Sequence, residues 1–174
     1  MTFEDARRVE SGATLTTGVC VVGAGAAGIA LATAFAERGV EALVVEAGGL
    51  GRDLGTQSLY RGRVTGSLLP YDYLMTSRLR QFGGTTNHWG GRTLPINAHV
   101  FGPRPGVSGG EWPFPKGELD PYYARAATFL GAITPYRASR PPPEDAPFIQ
   151  VHSYPIRHVR LSETYREALE RSRS

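Results

Sequence analysis

Val19-Cys20-Val21-Val22-Gly23-Ala24-Gly25-Ala26-Ala27-Gly28, a helix-like run to Arg38, and then Val40-Glu41-Ala42-Leu43-Val44-Val45-Glu46 decide the fold. They read as strand, glycine turn, helix and strand. Gly23, Gly25 and Gly28 have the G-x-G-x-x-G spacing, directly after an apolar strand and at the mouth of a helix. Gly23 permits the tight turn, Gly25 lets the backbone approach a pyrophosphate, and Gly28 lets helix pack closely on strand. The helix start, at Ala26, aims free N–H groups and a positive dipole end at the same place. Glu46 follows roughly 20 residues later, where a carboxylate can take both hydroxyls of an adenosine ribose and would repel a 2′-phosphate. The expected fold class is α/β, the start of a Rossmann-like parallel sheet.

Three plainer readings compete for this stretch. Ser11 to Ala36 carries no charge and could suggest a membrane span, while Ala34-Phe35-Ala36 imitates a signal cleavage site. Against both, Glu4, Asp5 and Glu10 offset Arg7 and Arg8 at the start, and five glycines interrupt the run. A span needs about 20 mainly apolar residues on one helix. The third reading, a strand and helix that bind nothing, leaves Glu46 without a reason.

With 174 residues the chain can bury a real core, and its 41% hydrophobic content is near the globular average. Gly at 22 and Pro at 13 are both raised, which indicates long loops and close backbone approaches. The net charge is only +3, and the arginines are interleaved with acids rather than clustered among aromatics, so no nucleic acid partner is expected. Cys20 is the single cysteine. Lying inside the first strand, it reads as a buried, inert thiol. No disulfide can form within the chain, no transmembrane segment is expected, and a cytoplasmic location is the resulting expectation. His99, His152 and His158 lack metal-ligand spacing, so no metal is expected.

Strands are expected over Thr17–Val22 and Val40–Glu46, the second buried on both faces. Between them the helix runs from Ala26 to Arg38, with Gly39 as its left-handed cap. From Ala47 to Arg80 periodicity dissolves into a glycine-broken excursion, with a strand considered at Tyr71 to Leu79. A helix is expected at Asp120 to Leu130, with Tyr122, Ala126 and Phe129 on its inner face. Pro141-Pro142-Pro143 reads as an extended spacer. The last helix starts at Ser162, with Leu161, Tyr165 and Leu169 as its apolar stripe. Three segments follow: 1–100, the start of a nucleotide-binding domain; 101–150, a loop-rich insertion; and 151–174, a return segment.

A second constellation is Gln81-Phe82-Gly83-Gly84-Thr85-Thr86-Asn87-His88-Trp89-Gly90-Gly91-Arg92. Paired glycines let a backbone lie against a flat ligand. Small hydrogen-bonding side chains, an imidazole and an indole sit between them. Composition alone leaves two readings open: the wall of a conjugated ring system, or two tight turns with Trp89 in the core.

Together the blocks Val21–Gly28, Val45-Glu46-Ala47-Gly48-Gly49, Phe82–Gly91, Glu111-Trp112-Pro113 and Glu118-Leu119-Asp120-Pro121-Tyr122-Tyr123 resemble the glucose–methanol–choline (GMC) oxidoreductases. The likeness is nearest to the bacterial sugar- and choline-dehydrogenase-like branch. The resemblance implies FAD as cofactor, with Gly23, Gly25, Ala26 and Gly28 at its pyrophosphate and Glu46 at its adenosine ribose. Gly84, Thr85, Asn87 and His88 would line the isoalloxazine ring. In some members a histidine placed like His88 is joined covalently to the flavin, and in others it only lines the pocket. The implied reaction is oxidation of an alcohol or sugar hydroxyl by hydride transfer to flavin. No catalytic residue of the family matches a position in this chain, so an N-terminal piece of a flavin domain is expected, with a second polypeptide as one source of the remainder. A non-catalytic nucleotide-binding fragment and a NAD-dependent dehydrogenase are the alternatives.

Overall fold

The computed structural model describes residues 3–66, 69–89, 92–103, 106, 108–131, 154–155, 161, 163 and 165. They fall into two compact units, Met1–Trp89 with Val159–Ser174, and Gly90–His158. The architecture is mixed α/β.

In the first unit, β1 (Cys20–Val22) and β2 (Leu43–Val45) pair in parallel, with Val21 opposite Val44. The connecting helix α1 (Ala26–Glu37) packs on β1 and buries Gly28 and Ile29. Parallel neighbours cannot be joined by a tight turn, so the helix is the crossover that lets them pair. Its end is set by Gly39, which takes φ +68° and donates its N–H to the Ala36 carbonyl. Both strands are shorter than the apolar runs that encode them, because register is held only where β1 and β2 face each other.

Two expectations are corrected here. Cys20 is exposed, not buried. The second strand is not covered on both faces: Val45 is 48% exposed, and on β1 Val22 is 83% exposed. Among the described residues one helix packs on the two-stranded sheet, so side chains that alternate away from it meet solvent.

The segment after β2 is not wholly irregular. Asp53 caps α2 (Leu54–Gln57) by accepting the Thr56 N–H, and that bond holds the Asp53 carboxyl below the usual carboxylate range. A single 3-10 turn, Ser58–Tyr60, continues it. The strand considered at Tyr71 to Leu79 is instead α3 (Tyr73–Thr76), started by bonds from Tyr73 N–H to the Pro70 carbonyl and from Thr76 N–H to the Asp72 carbonyl. No neighbouring strand offers it a ladder among the described residues. Leu161 is fully buried and Glu163 is exposed; Leu169 of the expected stripe lies outside the described residues, as does the Pro141–Pro143 spacer.

The second unit pairs β3 (Arg92–Thr93) with β4 (Tyr154–Pro155) in antiparallel fashion. Its helix, α4 (Asp120–Phe129), starts with Pro121 in the first turn, where a missing N–H costs nothing. Tyr122 is exposed, so the expected inner face turns by one residue. Tyr123 points inward, where its hydroxyl accepts the Ile96 N–H at 3.0 Å, and Ala127 is buried. Phe101, Trp112 and Phe114 form a ring cluster with centroids 5.3 to 6.4 Å apart. No helix among the described residues is long and apolar enough to cross a membrane.

Candidate functional site

The site is assembled at the C-terminal ends of β1 and β2. Gly23 leaves β1 with φ +97°, a conformation that disfavours any side chain, and its N–H donates to the Val45 carbonyl at 2.7 Å. Gly28 is needed for another reason. A Cβ there would run into the Gly23 carbonyl and lie 3.5 Å from Val21 Cγ1, so helix and turn touch backbone to backbone. Gly25 is required by neither effect: its φ is −77°, and a Cβ on it would meet nothing within 4 Å. It is the N-cap of α1 and has no side chain to satisfy the helix start. The first bond into α1 runs from Ile29 N–H to the Gly25 carbonyl, so the N–H groups of Ala26, Ala27 and Gly28 have no helical acceptor.

Glu46 is aimed back at this turn. Its Oε2 accepts the Ala24 N–H at 2.7 Å and its Oε1 accepts the Gly48 N–H at 2.8 Å. Each oxygen uses one of its two lone-pair directions, so the carboxylate both clamps the turn and keeps acceptor capacity. The sequence indicated a ligand for Glu46 and missed this structural duty. It also passed over Ala24, which is almost fully buried and uses both its backbone groups.

The Ala24 carbonyl accepts the Gly83 N–H at 2.8 Å, and the Gly49 carbonyl accepts the Phe82 N–H at 2.9 Å. A Cβ on Gly84 would sit 3.2 Å from the Gly25 Cα. The second glycine segment therefore docks on the first. Gly48 makes room for it, since a Cβ there would collide with the Arg80 carbonyl and lie 2.5 Å from the Gln81 Cα. Gly83 and Gly84 both take positive φ, 84° and 56°, which begins a 3-10 turn over Gly84–Asn87.

Within that turn the side chains divide. Thr86 Oγ1 donates to the Gly83 carbonyl, and Asn87 Nδ2 donates to the carbonyls of Phe82 and Gly84 at 3.0 and 2.8 Å. Thr86 and the Asn87 amide thus hold the turn itself. Thr85 is exposed and accepts the Leu79 N–H at 3.4 Å. His88 is exposed, with Nε2 3.3 Å from the Thr76 carbonyl. A carbonyl only accepts, so in the neutral ring this bond places the proton on Nε2 and the lone pair on Nδ1. Among the described residues Trp89 Nε1 is shut off from solvent without an acceptor; Gly90 and Gly91, the second bracketing pair, lie outside the described residues.

The structure thus brings Gly23, Gly25, Ala26, Gly28, Glu46 and Gly84 to one sheet end, while Thr85, Asn87 and His88 follow on the docked turn. No family model, curated protein or solved structure matches the chain.

Proposed function

We propose that this chain forms the FAD-binding part of an oxidoreductase of the glucose–methanol–choline type, one that oxidises an alcohol or sugar hydroxyl. The observation that supports this reading best is the docking of the second glycine segment on the first, through Gly83 N–H to the Ala24 carbonyl. A nucleotide turn alone would serve any dinucleotide. A second glycine-rich backbone laid against it supplies flat, side-chain-free surface beside the same turn, which suits a cofactor with a planar ring system.

The residues fit such a group. Gly25 is a glycine that the chain's own packing does not demand, and a pyrophosphate lying on the turn gives it a reason. The N–H groups of Ala26, Ala27 and Gly28 would meet the pyrophosphate, and Glu46 would take the ribose hydroxyls with its remaining lone pairs. Gly84, Thr85, Asn87 and His88 would stand toward the ring system. Bound FAD supplies the hydride acceptor. This chain's part is binding and orientation, and no catalytic base is assigned to it. His88 Nδ1 is the nucleophilic atom available if the flavin is held covalently.

Purified chain mixed with FAD and desalted should retain flavin absorbance. Glu46→Gln should weaken uptake about tenfold, the effect of losing one charged hydrogen bond, and Gly25→Val should abolish it. Full uptake by the double variant sinks the reading. Tight NADH binding with no flavin uptake would instead favour a nicotinamide-dependent dehydrogenase. Acid precipitation that releases all colour to the supernatant would exclude attachment at His88.

A further inference from the structure

Ser77-Arg78-Leu79-Arg80 joins α3 to the second glycine segment. Residues 78–80 belong to neither helix nor strand. The Arg78 guanidinium carbon lies 4.9 Å from the centre of the Tyr60 ring, and that of Arg80 lies 4.4 Å from it. Two cations thus share one aromatic ring.

This placement is built in by Gln57, a side chain only 2% exposed. Gln57 Nε2 donates to the carbonyls of Met75 and Arg78, both at 2.7 Å, and its Oε1 accepts the Arg80 N–H at 3.0 Å. Three bonds from one buried amide pin the backbone on both sides of Leu79. From the other side, the Arg80 carbonyl rests on Gly48, just past Glu46.

Arg78 is exposed, and its Nε donates to the Leu74 carbonyl at 3.5 Å. Among the described residues neither Arg78 nor Arg80 is ion-paired with a carboxylate. Arg80 Nε is closed off from solvent and has no acceptor among the described residues. An anion from solvent would therefore meet Arg80 through its terminal guanidinium nitrogens. The Tyr60 ring face attracts both cations.

We propose that Arg78, Arg80 and Tyr60 form an anion site for a phosphate or diphosphate group, distinct from the glycine turn. Two planar forks match an oxyanion carrying about two charges spread over several oxygens, and Arg is the side chain suited to that geometry. The site does not depend on the flavin reading: its ligand is either free inorganic anion or the phosphate end of a nucleotide.

The test is calorimetric titration of inorganic diphosphate into the full chain in phosphate-free buffer of low chloride. In the Gly25→Val background, which removes the glycine-turn site, Arg78→Gln and Arg80→Gln should each weaken binding about tenfold, and the double variant should show none. Gly25→Val should leave this affinity unchanged while losing FAD. If Arg80→Gln fails to fold, Arg80→Lys keeps the charge without the planar fork, and wild-type affinity in it overturns the proposal. So does wild-type affinity in the double variant, no binding by the wild type at millimolar diphosphate, or loss of binding in Gly25→Val. Adenosine diphosphate that displaces inorganic diphosphate identifies a nucleotide phosphate as the ligand; adenosine diphosphate that does not displace it identifies the free anion. Failure of FAD uptake alone leaves the anion site standing.

Discussion

The ends of β1 and β2 and the outer face of the same two strands are built from neighbouring residues, yet they differ sharply. At the ends, Gly23, Ala24 and Gly48 donate to Val45 and Glu46, and Gly83 donates to Ala24. On the outer face Val22 and Val45 stand in solvent. Short-range backbone bonds and glycine contacts can be completed by the chain that carries them. Covering an apolar sheet face takes a second layer of structure, and among the described residues α1 supplies a layer on one side only. Polar order at a sheet end therefore does not require a finished core.

Three substitutions sharpen this contrast. The largest effect is expected from Gly28→Val, which forces a side chain into the Gly23 carbonyl. Overpacking of this kind costs about 1–3 kcal/mol, and here the obstacle is rigid backbone. A urea midpoint unchanged from wild type would refute the backbone contact. Next comes a pair on one strand. Val21→Ala, beneath α1, should cost roughly 2 kcal/mol, whereas Val22→Ala should stay within about 0.5 kcal/mol. Equal losses would mean that the outer face is covered after all.

The smallest effect concerns Asp53, away from both regions. Its folded carboxyl titrates below the ordinary value of about 3.9, because the ionised form accepts the Thr56 N–H. The contribution is present above that ordinary value and fades as pH falls through the lower folded one. The Thr56 amide shift should follow this acid titration, and Asp53→Asn, which retains a cap, should flatten it. A titrating Thr56 amide in Asp53→Asn would assign the effect elsewhere.

Much of the first region was legible in residue order. Gly23, Gly28 and Gly39 announce a turn, a close packing and a cap, and each does that work, because a missing Cβ has consequences within a few residues. The helix over Ala26–Glu37 follows from its alanines. Less legible were features set by distant partners. Cys20 and the second strand look buried, since an apolar run does not say how many layers will cover it. Tyr122 and Tyr123 are equivalent on paper, and only the bond to Ile96 selects Tyr123. Gln57 carries no local signal, and its role exists only because residues 75 to 80 pass over it.

The sequence alone determined a β–α–β start with three special glycines and an acid behind them, because glycine turns and helix propensity act over short stretches. Only the tertiary structure decided that Glu46 clamps the turn through Ala24 and Gly48, that the segment at Gly83–Gly84 docks on Gly25, and that Arg78 and Arg80 meet at Tyr60. Those contacts join residues far apart in the chain, and their partners are chosen by packing in space, which no local pattern encodes.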